Sequence, residues 1–111
     1  GFPTANLFLH RRNTPVQGVF AVELYGLERE PLYGVANVGT SPTVDGTRSL
    51  LEVHLLDFAG DIYGRHVAVD FVHKIRAEKK FASFDELKQQ IERDVAQARD
   101  FFAQRNNRIQ N

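Results

Sequence analysis

Gly18-Val19-Phe20-Ala21-Val22-Glu23-Leu24-Tyr25 gives the clearest indication of how this 111-residue chain folds. Apolar, β-branched and aromatic residues dominate the stretch and glycine bounds it at both ends, which is typical of a strand partly buried on both faces. Residues 26–30 then form a turn, and Pro31–Gly39 predicts a second strand. The connection is too short for a crossover, so the two strands are expected to pair antiparallel as a hairpin.

Shorter patterns on either side of this hairpin predict further strands. Leu7–Leu9 is a brief apolar run, while Leu50–Phe58 and His66–His73 alternate between apolar and polar residues. Thr40–Ser49 is polar and contains the turn pair Asp45-Gly46, so it is interpreted as a loop with a well-defined tip. Short turns between neighbouring strands favour an antiparallel sheet.

A helix completes the predicted fold. Ser83 followed by Glu86 is typical of a capping box at a helix start. Apolar residues then recur at spacings of three and four, namely Phe84, Leu87, Ile91, Val95, Ala98 and Phe102. Such a stripe packs on a sheet or barrel, and we expect the helix to end near Gln104, with residues 105–111 as a tail. The predicted fold class is α+β, mainly β: a small antiparallel β-barrel with a C-terminal helix, in one domain spanning residues 1–104.

Composition limits the classes of function. The chain has no Cys, Met or Trp, which excludes disulfides and thiolate metal sites. Its 14 basic and 14 acidic residues give a formal net charge of zero, which argues against a nucleic acid backbone as the main partner. No apolar run approaches the roughly 18 residues needed to span a bilayer, so no membrane partner is expected. The absence of Cys is compatible with the cytoplasm, where we place the protein.

A candidate phosphate and metal site lies at the start of the chain, in Pro3, Thr4 and Asn6. Proline presets one backbone angle, while a hydroxyl and an amide oxygen are ligands that suit a hard cation such as magnesium. Taken alone, the pattern Pro-Thr-x-Asn is also that of an ordinary loop. The site therefore depends on support from the rest of the chain.

Glu52 is the most informative acid. Alternation along its strand places Glu52 and His54 on the face opposite Leu51, Val53 and Leu55. Glu52 is either a solvated residue or a carboxylate held rigidly to accept a proton from an attacking hydroxyl in phosphoryl transfer.

Other candidates are less specific. Asn37 and Gly39 mark either a plain strand end or a place where the backbone approaches a planar ligand. Arg76 belongs to a basic run, with Lys74, Lys79 and Lys80, that is either a solvated connector or a loop closing over an anionic substrate. The four histidines lack the spacing of a metal site.

Four ordered motifs together resemble a known family. They are Gly-Phe-Pro-Thr-Ala-Asn-Leu at 1–7, Gly-Val-Ala-Asn-Val-Gly-Thr-Ser-Pro-Thr at 34–43, Leu-Glu-Val-His-Leu-Leu-Asp-Phe at 51–58, and Ile-Arg-Ala-Glu-Lys-Lys-Phe-Ala-Ser-Phe-Asp-Glu-Leu at 75–87. In this order and with these separations they closely resemble the riboflavin kinase family, in particular the C-terminal kinase module of bacterial bifunctional FAD synthetases. The resemblance covers nearly the whole chain.

This resemblance implies a Greek-key barrel with a C-terminal helix that transfers the γ-phosphate of MgATP to the 5′-hydroxyl of riboflavin. It implies that Pro3, Thr4 and Asn6 form the corner for magnesium and the nucleotide phosphates, with Thr4 and Asn6 as metal ligands. It also implies that Glu52 orients or deprotonates the riboflavin hydroxyl. The flavin and nucleotide side would be lined by Asn37, Gly39, Arg76 and Phe81.

The family normally carries a first barrel strand and a flap before the motif that opens this chain, so both are expected to be missing here. An adenylyltransferase domain is expected in the parent chain. Two alternatives stay open: a non-catalytic barrel that binds single-stranded nucleic acid through the basic connector, Phe81 and Phe84, and an inactive fragment that keeps the barrel.

Overall fold

The computed structural model describes residues 4–8, 17–60, 62 and 64–110, and side chains for residues 17–40, 44–46, 50–60, 62 and 64–108. Its elements are β1 (Thr4–Phe8), β2 (Gly18–Tyr25), β3 (Leu32–Thr43), β4 (Gly46–Leu55), β5 (Ala68–Arg76) and α1 (Phe84–Gln110). The predicted strand over residues 18–25 has the bounds of β2. Each of the other predicted strands has a counterpart whose ends differ by a few residues.

The described strands form one antiparallel sheet in the order β1-β4-β3-β2-β5. β2, β3 and β4 follow one another as hairpins, and β5 returns through a long connection to lie beside β2, which is the Greek-key arrangement. The predicted antiparallel Greek-key fold, mainly β with a C-terminal helix, is therefore confirmed. Within the described residues, β1 and β5 are the two edges, so the sheet is barrel-like but not closed.

The hairpin of β3 and β4 corrects the prediction of a loop at residues 40–49. Strand pairing continues to Thr43 opposite Gly46, and the turn consists of Val44 and Asp45. Gly46 has a φ of 139°, which only glycine adopts without strain. A polar sequence was taken for a loop, but an extended hairpin satisfies its backbone hydrogen bonds by pairing and does not need apolar side chains to do so.

The sheet has an apolar core on each face. Residues at alternate positions of β2, β3 and β4, including Val22 and Val53, pack together on one face. On the other face, Val35 and neighbouring residues pack against Val95, Ala98 and Phe102 of α1. The predicted apolar stripe of the helix is confirmed for these buried residues. It is wrong for Phe84, whose side chain is 77% exposed, because this residue lies in the first turn, before the helix meets the sheet.

The cap at Ser83 is confirmed, while Glu86 folds back to the residue before the cap and not to Ser83 itself. The Ser83 hydroxyl accepts a hydrogen bond from the Glu86 backbone N–H at 3.2 Å. The Glu86 carboxylate accepts one from the Ala82 N–H at 3.2 Å. The contact with Ser83 satisfies a backbone donor of the first helical turn that has no partner within the helix.

The predicted helix end near Gln104 is wrong, because α1 continues to Gln110. Arg105 donates to Glu23 Oε1 at 2.8 Å, and Asn106 donates to the Tyr33 hydroxyl at 3.2 Å. These contacts with β2 and β3 hold the last turns against the sheet, so the helix does not fray where its apolar stripe ends. The domain boundary at residue 104 stays a prediction. No helix in the described part of the chain is both long and apolar enough to cross a membrane.

Candidate active site

The strand register aligns four of the predicted site residues: Asn6, Glu52, Asn37 and Arg76. Asn6 of β1 pairs with Glu52 of β4, and Glu52 pairs with Asn37 of β3. The same row continues through Val19 of β2 to Arg76 of β5. Two residues after Glu52 on the same strand, His54 pairs with Thr4 of β1. Residues far apart in the sequence are thus brought to one stretch of the sheet, although Pro3 and the side chains of Thr4 and Asn6 lie outside the described residues.

A cleft of about 180 Å³ opens between this part of the sheet and the N-terminal half of α1. We call it the sheet–helix cleft. The sheet lines it with Val19, Val35, Asn37, Glu52 and His54. The end of β5, the segment after it and the helix line the opposite side, with Arg76, Glu78, Lys79, Phe81, Leu87, Ile91 and Asp94. We call Asn37, Glu52 and His54 the polar wall of this cleft and Phe81, Leu87 and Ile91 its apolar wall, and the remaining charged side chains line the cleft beside them. Apolar and polar groups in one cleft suit a ligand with a flat apolar body and a polar tail.

Glu52 stands on a strand that is paired on both sides, so its backbone is held firmly. Its carboxylate Oε1 lies 3.2 Å from His54 Nε2, and its side chain is 39% exposed. The prediction that Glu52 and His54 share the face opposite the buried Val53 is confirmed. A half-exposed carboxylate at the edge of a cleft can reach a bound hydroxyl and accept its proton.

Gly39 lies inside β3, not at its end, and is in close contact with the segment after β5. A Cβ atom at this position would collide with the Glu78 carboxylate. Glu78 therefore packs directly on the strand backbone, and a larger residue at position 39 would require that side chain to move. The contact brings the connector between β5 and α1 over β3, on the same side as Asn37.

Arg76 does not project freely into the cleft. Its Nε and Nη2 donate to the Asp94 carboxylate, with Nε–Oδ1 and Nη2–Oδ2 distances of 2.9 Å. Its Nη1 donates to the Ala77 carbonyl at 3.1 Å. Much of the guanidinium therefore joins β5 to the helix. The first residues of the predicted basic connector, 74–76, belong to β5.

Asp94 was missed by the sequence reasoning. Its side chain is only 2% exposed, and the Gln90 amide donates to Oδ1 at 3.0 Å. The sequence does contain an indication that Asp94 is buried: it follows Ile91 by three residues and therefore lies on the apolar stripe of the helix. An acidic residue at such a position requires a buried partner.

Phe81 forms part of the apolar wall. The guanidinium carbon of Arg76 and the ammonium of Lys79 each lie 5.6 Å from the centroid of its ring. These are cation–π distances, so the ring is held by two side chains of the connector. Phe81 thus lines one cleft with Asn37, Glu52 and Arg76, and the roles assigned to these residues stay predictions.

The charges in the cleft are mixed. The described lining residues include the acids Glu52, Glu78 and Asp94 beside the cations Arg76 and Lys79. Among the residues with described side chains, no cluster of three or more His, Asp or Glu is arranged to hold a metal ion. The assignment of Thr4 and Asn6 as metal ligands stays a prediction.

Comparison with models of known protein families shows the family to which this chain belongs. The family model described as riboflavin kinase (flavokinase) matches residues 1–102. The chain belongs to the riboflavin kinase family. The resemblance carried by the four motifs is thereby confirmed, and riboflavin kinases use ATP as the phosphate donor.

Relatives of this riboflavin kinase domain are larger proteins. It is 62% identical over 102 residues to the bifunctional riboflavin kinase/FMN adenylyltransferase of Escherichia coli (strain K12), covering 92% of this chain and 33% of that protein. It is 56% identical to the protein of the same description from Haemophilus influenzae, again over 92% of this chain and 33% of the relative. The chain thus spans about a third of the length of these curated relatives.

A solved structure supports the fold of the riboflavin kinase domain. A chain from Streptococcus pneumoniae, described as a macrolide-efflux protein, superposes with a TM-score of 0.77 at 38% identity. The match covers 88% of this chain and 32% of the other. The likeness agrees with the Greek-key sheet and C-terminal helix.

Proposed function

We propose that this riboflavin kinase domain transfers the γ-phosphate of MgATP to the 5′-hydroxyl of riboflavin, giving FMN and ADP. The observation that carries the proposal is the pair Glu52 and Asn37 at the polar wall of the sheet–helix cleft, in a row that the strand register continues to Asn6 of β1. It supports a reaction that needs a phosphate corner, a carboxylate and a pocket for a flat ring in one place. Phosphoryl transfer depends mostly on such positioning and on charge stabilisation.

The apolar wall suits the isoalloxazine ring. Phe81, Leu87 and Ile91 line it, and aromatic and aliphatic side chains bind flat conjugated rings by burying their surface. With the ring against this wall, the ribityl chain extends toward Glu52. Asn37, Arg76 and the backbone at Gly39 border the same space.

Glu52 is the catalytic residue in this proposal. Its carboxylate accepts the proton of the 5′-hydroxyl as that oxygen attacks the γ-phosphorus, and the bond from phosphorus to the bridging oxygen of ADP breaks. His54 Nε2, at 3.2 Å from Oε1, helps to hold the carboxylate. No covalent enzyme intermediate is needed.

Pro3, Thr4 and Asn6 are proposed as the corner for the nucleotide phosphates, with Thr4 and Asn6 as ligands of Mg²⁺. The chemistry of the donor set fits, because a hydroxyl and an amide beside the carboxylate of Glu52 are oxygen donors suited to a hard cation. Pairing of β1 with β4 supports the assignment, since it aligns Asn6 with Glu52 and Thr4 with His54. Bound magnesium would neutralise the phosphate charge.

The bifunctional relatives extend the proposal to the parent protein. Because the chain spans about a third of their length, we propose that it is the kinase part of a bifunctional enzyme whose adenylyltransferase part acts on FMN. We place this enzyme in the cytoplasm, where ATP is available. The rival nucleic acid function is not favoured, since Glu52, Glu78 and Asp94 line the cleft beside its cations.

The direct test is to incubate the protein with riboflavin and MgATP and to separate the flavins by chromatography. We expect FMN to form in proportion to time and protein concentration. Omission of ATP is the control. If the protein neither forms FMN nor binds ADP or riboflavin, the proposed function is overturned. Salt-sensitive binding of single-stranded nucleic acid without a response to flavin would favour the rival function.

A further inference from the structure

The ion pair between Asp94 of α1 and Arg76 of β5 lies at the floor of the sheet–helix cleft. Arg76 Nε is 2.9 Å from Oδ1 and 3.1 Å from Oδ2, and Nη2 is 2.9 Å from Oδ2. The Asp94 side chain is 2% exposed and that of Arg76 is 20% exposed. Both charges are therefore largely removed from water and are paired through two guanidinium nitrogens.

Burying this pair is costly, because each ion loses its hydration and the mutual attraction only partly offsets that loss. What the pair supplies is geometry. A planar guanidinium that donates through two nitrogens to one carboxylate has a defined orientation. The Gln90 amide also donates to Asp94 Oδ1 at 3.0 Å, and Arg76 Nη1 donates to the Ala77 carbonyl at 3.1 Å, so both partners are held on more than one side.

The orientation of Arg76 is passed on to the cleft wall. Its Cζ lies 5.6 Å from the centroid of the Phe81 ring, and that ring lines the cleft together with Leu87. Between Arg76 and Phe81 the chain has no regular secondary structure, so the backbone alone does not fix the ring. A continuous set of contacts therefore runs from Asp94 through Arg76 to Phe81.

We propose that Asp94 is a positioning residue for flavin binding: it holds Arg76 and, through Arg76, keeps the Phe81 ring in place as a wall for the isoalloxazine ring. The proposal rests on the proposed riboflavin kinase activity. Asp94 takes no part in the phosphoryl transfer itself, which belongs to residues of β1 and β4.

The variant Asp94→Asn tests this role in the intact protein. Asparagine keeps the shape and one acceptor oxygen but removes the charge that orients the guanidinium. We expect the KM for riboflavin to rise roughly tenfold, the scale of one lost charge-assisted hydrogen bond. The kcat and the KM for ATP should stay within about twofold, because Glu52 and the phosphate corner lie on other elements.

A matched control is Asp57→Asn. Asp57 pairs with Arg99 of the same helix at 2.8 Å, but both side chains are exposed and neither lines the cleft. The hydrogen bond from Arg99 lowers the pKa of Asp57, so this variant likewise removes a carboxylate that pairs with an arginine. Removing this charge should leave the KM for riboflavin unchanged.

A double variant distinguishes positioning from a general structural effect. Phe81→Ala should raise the KM for riboflavin by itself. If Asp94 acts through Phe81, adding Asp94→Asn to Phe81→Ala should raise it by no more than about twofold further, because both changes remove the same interaction. Multiplicative effects of the two substitutions would overturn the proposal.

Other outcomes are equally decisive. An unchanged KM for riboflavin in Asp94→Asn, or parallel changes in kcat and both KM values, would assign Asp94 a merely structural role. Should Asp94→Asn fail to fold, Asp94→Glu takes its place: it keeps the buried negative charge but displaces the carboxylate by one methylene from the position that orients Arg76, and the same selective rise in the KM for riboflavin is expected. A wild-type protein that makes no FMN would overturn the proposed function, whereas active wild type with an insensitive variant overturns only the role of Asp94.

Discussion

Glu52 shows how one residue gains a function from its position in the sheet. The side chain is half-buried, and its strand is paired with β1 on one side and β3 on the other. A carboxylate on such a strand has little freedom to move away from a bound hydroxyl. Its closeness to His54 and its pairing with Asn6 and Asn37 are what distinguish it from the other acidic residues of the chain.

The first prediction concerns Glu52→Gln. The amide keeps the size of the side chain and can still contact His54, but it cannot accept the hydroxyl proton. We expect kcat to fall roughly 100-fold or more, the usual scale for a positioned acid or base, with an unchanged melting temperature. Glu92→Gln, on an exposed part of α1, is the control, and an unchanged kcat in Glu52→Gln would remove Glu52 from the mechanism.

Single residues also show where sequence reasoning succeeds. Strict alternation along β4 was sufficient to place Glu52 and His54 on one face, because side chains in a strand point alternately to its two sides. Asp94 was not predicted, because the helical stripe was defined by its apolar residues alone and an acid at a stripe position was not considered. The close contact between Gly39 and Glu78 joins residues far apart in the sequence, so no local pattern reports it.

At the level of elements, the last turns of α1 are held by contacts that the apolar stripe does not predict. Arg105 Nη1 donates to Glu23 Oε1 at 2.8 Å and Nη2 donates to the Tyr33 hydroxyl at 3.3 Å. The hydrogen bond with Glu23 raises the pKa of Arg105 above its usual value. The Tyr33 ring stacks on Phe102 with centroids 4.0 Å apart.

The second prediction is that Arg105→Ala destabilises the fold. It leaves the partly buried Glu23 without the cation that pairs with it, and an unpaired charge of this kind costs about 1–3 kcal/mol in the free energy of unfolding. Urea denaturation measures the loss. Arg108→Ala is the control, because Arg108 is exposed in the same helix end. Equal stability of the two variants would show that the helix end contributes little.

Elements differed in how well their ends could be predicted. β2 was predicted residue for residue because glycine bounds an apolar run at both sides. The hairpin of β3 and β4 was cut short because its outer residues are polar, and α1 was ended too early because its stripe stops near Phe102. In both cases hydrogen bonds and side-chain contacts made across the fold extend an element beyond its apolar pattern.

At the scale of the whole molecule, the sheet–helix cleft lies where α1 separates from the β-sheet. The helix covers the sheet firmly around Ala98 and Phe102, which are buried, while its N-terminal half faces Glu52 and Asn37 across the cleft. A ligand in this space would contact both layers. Ligand binding is therefore expected to stabilise the native fold as a whole.

The third prediction uses this linkage. Riboflavin with MgADP should raise the melting temperature by several degrees, since a ligand at about 100 times its Kd adds about 2.7 kcal/mol to the stability. Chelation of magnesium with EDTA should remove the nucleotide-dependent part of the shift and leave the part due to riboflavin. Differential scanning fluorimetry with each component added in turn measures both. A nucleotide shift that survives EDTA would contradict the metal corner at Thr4 and Asn6.

The sequence by itself determined the strands, the capped helix and the family of this protein, because alternation, helical spacing, turn residues and ordered motifs are local properties of the chain. Only the tertiary structure decided which residues meet. The register that aligns Asn6, Glu52 and Asn37, and the burial of Asp94 against Arg76, depend on pairing between segments far apart in the chain. Such pairing follows from how the two faces of the sheet are buried together, which no single stretch of the sequence encodes.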